Sequence, residues 1–386
     1  MKCVHVKTAR YTICPLLYAF GVQFATCFRT NFSLDYWQMR LIGQFWSLFS
    51  EDFPVGGNVY EQKILITEAV DPAGITLLQD HGYQVVMGTG YDEETLMREA
   101  HDADGVLTRN GHFTERVLNS CPKLQVIGMH GAGVDCIDVE AAERLGIQVT
   151  NAADANSGSV AEFTLGLILS LAKKLPQSRD GLRKEGWSIR PQISTFDLEG
   201  KTLGVLGMGR IGTAVARKAS YGFGMKVLGY RRNLPGDICA DYGILTSDLD
   251  KVIRNSDFLS IHLPYTKDTF HLVSREKLEL MKSDAYLLNL GRGELVDQAA
   301  LRELLLSNRL AGAALDVFEG EIPDADDPLL HMDQVIATPH IAGLSKQAME
   351  RLSYQAALGI TEVLEGRKVT YPVNHPEKYA SDVSVA

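Results

Sequence analysis

The sequence predicts an α/β protein with two doubly wound parallel sheets, and two patterns in the 386-residue chain support this fold class. From Lys63 onward, short apolar runs alternate with amphipathic stretches, which is typical of β-α-β units around a parallel sheet. A second series of the same kind begins after position 200. The length and apolar content are sufficient for two domains, each with its own core.

The first series of predicted strands ends near Thr150, and a long apolar helix follows it. We expect this helix to run from Ser157 to Leu175 and to end before Pro176, which would interrupt it. Its surface is too apolar for a solvated connector. It therefore packs between domains or against a second subunit, and we favour a homodimer. The strands of this series are Lys63–Thr67, Gly105–Thr108, Leu124–Met129 and Ile147–Thr150.

The second series of predicted strands is followed by a late segment, Lys346–Leu364, that has helical spacing and ends at Gly366. A helix so late in the chain can return to the first sheet and make that domain discontinuous. The strands of this series are Thr202–Leu206, Lys226–Tyr230, Phe258–Leu263, Ala285–Leu290, Ala313–Val317 and Val335–Thr338.

Charge and cysteine content exclude several classes of function. The formal net charge of −10 argues against nucleic-acid binding, which usually requires a basic face. The six cysteines show neither C-x-x-C spacing nor a metal-type cluster, so we expect no metal site and a reduced, cytoplasmic setting.

Residues 1–60 differ in composition from the rest of the chain. They hold three of the six cysteines, two of the three tryptophans and seven of the fourteen phenylalanines. The stretch 11–28 is uncharged but interrupted by Pro15 and Gln23 and short for a membrane span, so we expect no membrane partner. We expect a disordered or non-native extension, and a targeting role is the alternative. Residues 376–386 are predicted to form a polar tail.

A glycine-rich turn follows the predicted strand Thr202–Leu206 and opens a helix that is predicted to end near Tyr221. In a G-x-G-x-x-G turn, the first glycine permits the sharp bend, the second lets a pyrophosphate approach the backbone, and the third allows close packing of helix on strand. The helix N-terminus then favours an anion. The residues predicted to bind a dinucleotide here are Gly207, Gly209, Arg210, Ile211 and Gly212.

The end of the next strand carries Arg231 and Arg232, where an acid would bind the ribose 2′-hydroxyl of NAD. Two guanidinium groups there suit a 2′-phosphate, since each can bind it bidentately. We therefore favour NADP(H) as the cofactor. The alternative is that both arginines form a solvated strand end and that the site accepts NAD(H).

Three further segments each lie at the carboxyl end of a predicted strand: 289–293, 314–321 and 338–343. Ligands of open α/β sheets bind at this edge. With the glycine turn and the segment 255–264, these motifs resemble the D-isomer-specific 2-hydroxyacid dehydrogenases. The resemblance runs from about Lys63 to Asn374.

The resemblance implies a role for each polar residue in these segments. Arg292 binds the substrate carboxylate and carbonyl, since its planar fork stays charged. His340 transfers the proton, Glu321 holds its imidazole, and Asp316 bonds the nicotinamide carboxamide. Each residue taken alone has another interpretation. Arg292 could cap a helix, and Glu321 could be a solvated loop acid. His340 could be a hydrogen-bonded turn residue, and Asp316 could be a buried acid at a strand end.

The same resemblance assigns the loop Gly131, Ala132 and Gly133 to the substrate carboxylate, whose close approach to the backbone the glycines permit. His262 and Pro264 lie along the cofactor, and His262 is not the expected proton donor. Arg109 lies where it could reach the substrate across the cleft, or it is a solvated loop arginine.

Two domains with the active-site cleft between them follow from these assignments. Residues 61–157 and 344–375 form a discontinuous, flavodoxin-like substrate domain, and residues 158–343 form a Rossmann dinucleotide domain. We expect hydride transfer between NAD(P)H and a small 2-keto or 2-hydroxy acid, with glyoxylate or hydroxypyruvate reduction favoured. A short NAD-dependent D-3-phosphoglycerate dehydrogenase is the alternative enzyme, and an NADP(H)-sensing corepressor-like protein is the alternative from another class.

Overall fold

The computed structural model describes residues 62–320 and 322–377, and these form two sheets with helices on both faces. One sheet has five strands and the other has eight. The predicted class, an α/β protein with two doubly wound sheets, is confirmed. The predicted extension of residues 1–60, residues 378–386 of the predicted tail and Glu321 lie outside the described residues.

The five-stranded sheet is entirely parallel, in the order β2-β1-β3-β4-β5, which is the flavodoxin-like order. Its helices begin at side-chain caps that accept a hydrogen bond from the first turn, for example Asp92 to the Thr95 amide. Its elements are β1 Lys63–Ile66, α1 Pro72–Asp80, β2 Gln84–Met87, α2 Glu93–Glu99, β3 Gly105–Thr108, α3 Glu115–Asn119, β4 Val126–Met129, α4 Val139–Arg144 and β5 Gln148–Asn151.

The eight-stranded sheet has the order β13-β12-β11-β10-β6-β7-β9-β8, and all its pairs are parallel except β8 with β9. Its elements are α5 Ser157–Ala172, α6 Leu175–Glu185, a 3₁₀ helix Gly186–Gln192, β6 Thr202–Leu206, α7 Arg210–Phe223, β7 Lys226–Tyr230, β8 Ile238–Ala240, β9 Gly243–Thr246, α8 Leu249–Asn255, β10 Phe258–Ile261, α9 Arg275–Leu280, β11 Tyr286–Asn289, a 3₁₀ helix Gly293–Leu295, α10 Gln298–Leu306, β12 Gly312–Leu315, α11 Pro328–His331 and β13 Val335–Ala337. The long helix α12, Lys346–Leu364, follows.

The structure differs from the sequence predictions in the bounds of some elements and in elements that were not predicted. The apolar helix ends at Ala172, and Pro176 is the second residue of the next helix instead of terminating this one, because proline fits the first turn of a helix. The edge strand β2 and the hairpin β8–β9 were not predicted, and neither β2 nor β8 contains a buried residue.

The apolar surface of α5 is largely buried within the chain itself. Val160, Ile168 and Leu171 pack into the core that lies between α5, α7 and one face of the eight-stranded sheet. Internal packing therefore explains most of the surface on which the sequence-based dimer prediction depended.

Helix α12 covers one face of the five-stranded sheet, although it follows the eight-stranded sheet in sequence. Ala356 and Ile360 pack beside Ile64 and Val126. The backbone of α12 passes so close to β4 that a Cβ on Gly128 would lie 2.5 Å from the Ala356 carbonyl oxygen. Glycine at this position is thus required by the close approach.

The two connections between the sheets run side by side. Ser159 in α5 and Ser345, the N-cap of α12, are joined by a hydroxyl–hydroxyl hydrogen bond of 2.7 Å. Arg351 donates to the Ala155 carbonyl at 2.8 Å. The first turns of both helices are therefore fixed to one another.

The segment after α12 covers the free edge of β5. The side-chain oxygen of the buried Asn374 accepts hydrogen bonds from the Val149 amide at 2.7 Å and from Gln148 at 2.9 Å, and its Nδ2 donates to the Ile147 carbonyl at 2.9 Å. These bonds satisfy backbone groups that an open sheet edge leaves unpaired.

We predict that Asn374→Ala lowers the free energy of unfolding by about 1–3 kcal/mol, because it leaves a buried amide and a buried carbonyl without partners. Urea unfolding followed by circular dichroism measures this change. Asn255→Ala, which removes an exposed amide, is the matched control and should change stability by at most about 0.5 kcal/mol. Equal effects of both variants would contradict the role of Asn374 in covering the edge of β5.

Candidate active site

The polar candidates of the eight-stranded sheet follow strands that run parallel, so they lie at one edge of it. The glycine turn follows β6. In the sheet, β7 lies on one side of β6 and β10 lies on the other, so the direction in which strands are added changes at β6. This change of direction is the switch point at which α/β sheets bind ligands.

The glycine turn has the geometry of a phosphate site. Gly207 has a φ of 100°, and a Cβ there would lie 2.6 Å from the His262 carbonyl oxygen. A Cβ on Gly212 would lie 2.1 Å from the Gly207 carbonyl oxygen, whereas one on Gly209 meets no atom within 4 Å. Helix α7 begins here without a side-chain cap, which leaves its first amides to an anion. The turn therefore fits a dinucleotide.

Arg210, the first residue of α7, is bound to the connection that leads from the five-stranded sheet to α5. Its Nε contacts Asp154 Oδ1, and Asp154 Oδ2 accepts a hydrogen bond of 2.8 Å from the Tyr371 hydroxyl. The guanidinium also lies 5.8 Å from the centre of the Tyr371 ring. Ile211 is half-buried against the core beneath this turn.

Arg231 and Arg232 are both exposed and directly follow β7, as the sequence predicts. Arg232 lies 3.4 Å from Asp268 in an exposed ion pair, which contributes little to stability. Among the described residues Arg231 forms no ion pair. Both guanidinium groups therefore remain accessible to an anionic ligand.

His262 is half-buried directly after β10, and Pro264, two residues later, is exposed. Its Nε2 lies 2.8 Å from the Ser260 hydroxyl, and its buried Nδ1 has no hydrogen-bond partner. Burial lowers the pKa of His262 to about 4, so the ring is neutral near pH 7. A neutral imidazole is a poor proton donor, which agrees with its exclusion from that role.

Asp316 and His340 meet at the ends of β12 and β13. Asp316 is buried, and its carboxylate accepts hydrogen bonds from the Thr338 hydroxyl at 2.6 Å and from the amides of Ile341 and Ala342 at 3.0 Å each. The His340 amide donates to the Asp316 carbonyl oxygen at 2.9 Å. Asp316 therefore fixes the loop that carries His340.

His340 is exposed and adopts a φ of 53°, in the left-handed region that histidine tolerates better than most residues. Three of the roughly four acceptor positions of the Asp316 carboxylate are used by this loop. One position remains for the carboxamide contact that the resemblance implies.

The two residues that precede Glu321 are fixed by hydrogen bonds, although Glu321 itself lies outside the described residues. Glu319 Oε1 lies 3.0 Å from His271 Nε2, and the Glu319 amide donates to Gln298 at 3.0 Å. The Gly320 amide donates to Glu294 at 3.3 Å.

Arg292 extends from the end of β11 to the glycine loop of the five-stranded sheet. Its Nε and Nη2 donate to Asp135 Oδ2 at 3.0 and 2.8 Å. A Cβ on Gly133 would lie 2.0 Å from Arg292 Nη2. The carbonyl of Ala132, between Gly131 and Gly133, accepts a hydrogen bond of 2.8 Å from Asn151. The structure thus joins the predicted carboxylate-binding arginine to the predicted glycine loop.

Asp135 follows the predicted glycine loop by two residues and is not among the site residues that the sequence predicts. The available signal was its position: an acid two residues after Gly133, in a loop expected to face Arg292. No pattern within either segment alone indicates that the two side chains meet.

Two further polar residues lie at the same edge of the five-stranded sheet. His130 is buried, neither ring nitrogen has a hydrogen-bond partner, and burial lowers its pKa to about 4. Arg109 is half-buried beside it, and the amides of Arg109 and Asn110 both donate to Glu68 at 2.9 Å. The backbone of the Arg109 loop is thus fixed.

In the described part of the chain, no helix is long and apolar enough to cross a membrane. The same residues include no group of three or more histidine, cysteine, aspartate or glutamate side chains that could hold a metal ion.

Comparison with known families gives a match over residues 165–342 to the NAD-binding domain of D-isomer specific 2-hydroxyacid dehydrogenases. The matched region includes the glycine turn, both arginines after β7, and the segments of Arg292 and Asp316. This result agrees with the resemblance seen in the motifs.

Curated relatives extend the likeness to most of the chain. D-3-phosphoglycerate dehydrogenase from Methanocaldococcus jannaschii is 41% identical over 316 residues, which are 81% of this chain and 60% of the relative. The chain thus spans about 60% of the length of that relative. Glyoxylate reductase from Aeropyrum pernix is 36% identical over 318 residues, 79% of this chain and 93% of the relative.

Solved structures show the same architecture. The NADPH-dependent glyoxylate/hydroxypyruvate reductase from Sinorhizobium meliloti, solved with NADP and malonate, aligns with a TM-score of 0.72 and 28% identity over 81% of this chain and 96% of its own. This structural likeness, together with the identity and coverage of the A. pernix relative, confirms the family resemblance seen in the motifs. The chain belongs to the D-isomer specific 2-hydroxyacid dehydrogenase family.

Proposed function

We propose that the protein reduces a small 2-keto acid to the D-2-hydroxy acid with NADPH, and that glyoxylate and hydroxypyruvate are its substrates. The observation that carries the proposal is the position of Arg292, whose guanidinium binds Asp135 and lies against the backbone of Gly133. This combination suits a small carboxylate.

In this proposal Arg292 binds the substrate through its planar guanidinium, whose geometry matches a carboxylate. The loop Gly131–Gly133 lets the carboxylate approach backbone N–H groups closely. The guanidinium of Arg292 and the backbone N–H groups of the loop then hold the keto group in one orientation. Holding the substrate in this way lowers the entropic cost of reaching the transition state.

His340 supplies the proton to the carbonyl oxygen in reduction and accepts it in oxidation, because an ordinary imidazole titrates near neutral pH. Glu321 stabilises the imidazolium form and orients the ring. Asp316 supports this chemistry through the backbone, since it holds the Thr338–Ala342 loop on which His340 lies.

The glycine turn and the N-terminus of α7 would hold the pyrophosphate, while His262 and Pro264 line the remainder of the cofactor site. A bound dihydronicotinamide supplies the hydride. Arg231 and Arg232 favour a 2′-phosphate, because each guanidinium can donate two hydrogen bonds to it. Their accessibility supports NADP(H) as the preferred cofactor.

The names of the relatives support two substrate assignments. Glyoxylate reduction agrees with the A. pernix relative, which this chain covers almost completely, and with the NADPH-dependent reductase structure. Oxidation of 3-phosphoglycerate with NAD agrees with the M. jannaschii relative, of which this chain covers a smaller share. The paired arginines favour the first assignment.

We also propose a homodimer that forms through a groove of about 590 Å³ between α5 and α7. The groove is lined by Leu169, Tyr221 and Phe223, and it carries both an acid, Glu162, and a base, Lys218. Glu162 and Lys218 lie 3.4 Å apart within one chain, so the apolar residues of the groove would supply the contact between two copies that present the same surface.

An assay of absorbance at the reduced-nicotinamide band tests the function directly. We expect NADPH to be consumed rapidly with glyoxylate or hydroxypyruvate, and more slowly with pyruvate and phenylpyruvate. We further expect Arg231→Ser/Arg232→Ser to lower the ratio of kcat/KM for NADPH to that for NADH by about tenfold or more, because each charge-assisted hydrogen bond contributes about 1.5–3 kcal/mol.

Arg254→Ser is the matched control, since Arg254 is exposed at the opposite end of the sheet, where α8 ends before β10. It should leave the cofactor ratio unchanged. A wild-type preference for NADH would refute the cofactor assignment. If 3-phosphoglycerate with NAD is the only combination that is turned over, the second substrate assignment is favoured. If no substrate is turned over, a cofactor-sensing protein is favoured.

We predict that His340→Asn lowers kcat by about 10²–10⁴-fold, the usual contribution of a general acid, while the Kd for NADPH changes little. Asparagine tolerates the left-handed conformation of this position, so backbone strain does not confound the result. Stopped-flow kinetics and cofactor fluorescence measure the two quantities. Near-normal turnover would remove His340 from the mechanism.

We predict that sedimentation equilibrium gives the mass of two chains and that Tyr221→Asp shifts the protein toward one chain, since it places a charge in the groove. Tyr221 is 62% exposed within a single chain, but its hydroxyl donates to Asp241 at 2.6 Å, so the thermal unfolding midpoint of the variant is measured beside its mass. Tyr354→Asp, at an exposed tyrosine of α12, is the control. A wild-type mass of one chain would contradict the dimer.

A further inference from the structure

The contact between Arg292 and Asp135 uses only part of the guanidinium. Nε and Nη2 each donate to Asp135 Oδ2, and Nη1 donates to the Gly291 carbonyl at 2.9 Å. An arginine side chain has five N–H groups. Three are used, so two remain, one on each terminal nitrogen.

Two N–H groups on the two terminal nitrogens are the set that binds a carboxylate bidentately. Their direction depends on the plane of the guanidinium, which rotates freely in an unpaired arginine. In this structure Asp135 and Gly291 fix that plane from both sides. The remaining donors are therefore held in one orientation beside the loop Gly131–Gly133.

The glycine loop has a shape that accommodates this pair. A Cβ on Gly133 would lie 2.0 Å from Arg292 Nη2 and 2.9 Å from Asp135 Oδ2. Any larger residue at Gly133 would displace the guanidinium or the carboxylate. The loop backbone thus approaches the ion pair as closely as the chain permits.

Stability does not explain the ion pair. The side chains of Arg292 and Asp135 are 32% and 45% exposed, and pairs of that exposure contribute only about 0–1 kcal/mol. The contact joins residues 157 positions apart in sequence, one from each sheet. Its effect is on the orientation of Arg292.

We propose that Asp135 is a positioning residue that orients the two remaining donors of Arg292 toward the substrate carboxylate, an inference that rests on the proposed function. Because Asp135 follows β4 and Arg292 follows β11, the carboxylate site is complete only when the two sheets are in this arrangement.

Two variants at Asp135 separate this role from the alternatives. Asp135→Asn keeps an acceptor oxygen and removes the charge, whereas Asp135→Ala removes the acceptor. We expect Asp135→Ala to lower kcat/KM for glyoxylate by about tenfold or more, and Asp135→Asn to stay within about threefold of wild type. The Kd for NADPH and the thermal unfolding midpoint should be unchanged in both variants.

Other outcomes would overturn the proposal. If both variants lower KM, Asp135 competes with the substrate for Arg292 instead of orienting it. If both variants lose stability and activity together, its role is structural. Asp80→Ala, at an exposed aspartate at the end of α1, is the control for a lost surface charge.

Calorimetric titration of oxalate into the protein saturated with NADP⁺ gives a readout that does not depend on turnover. Oxalate is a non-reacting carboxylate, and we expect its Kd to rise about tenfold or more in Asp135→Ala and little in Asp135→Asn. If the wild type turns over no 2-keto acid but shows this pattern with oxalate, the proposed function fails and the role of Asp135 stands. Equal oxalate affinity in all three proteins would refute that role.

Discussion

Parallel strands determine where the chemistry of this protein can occur. Because the strands that carry the candidate residues run in one direction within each sheet, the loops that follow them share one edge. Residues far apart in sequence, such as Gly207 and Asp316, thus belong to the same edge of the eight-stranded sheet. The five-stranded sheet presents its glycine loop in the same way, and Arg292 joins the two edges.

The buried carboxylate of Asp316 shows how this edge is kept in order. A buried charge is costly unless it is fully hydrogen-bonded, and here three donors of one loop satisfy it. The same bonds allow His340 to occupy a left-handed conformation that an unsupported loop would leave. One acid therefore stabilises both the end of β12 and the position of the proposed proton donor.

The sequence was sufficient for the architecture because apolar runs and glycine spacing are local signals. β3, β6 and α12 have the predicted bounds, whereas β2, β8 and β9 were missed; β2 and β8 are short edge strands without a buried residue. Pro176 was interpreted as the end of a helix, although proline is equally compatible with a first turn.

The site was predictable only in part, for a different reason. Motifs identify residues at strand ends, but side-chain pairs such as Arg292 with Asp135 arise from the packing of two sheets and leave no trace in either segment. The orientation of Arg210 toward Asp154 is of the same kind. Roles for Glu321 and His340 remain predictions, since they depend on the family motif.

The return of α12 to the five-stranded sheet also affects how the protein is made. Domains generally fold as units during synthesis, from the N-terminus onward. Here the strands β1 to β5 leave the ribosome long before α12, so the apolar face that includes Ile64 and Val126 is covered only in part, by α1, while the whole eight-stranded sheet is synthesised. That nascent face is a natural target for chaperones, and the dinucleotide-binding half is expected to reach its native state first.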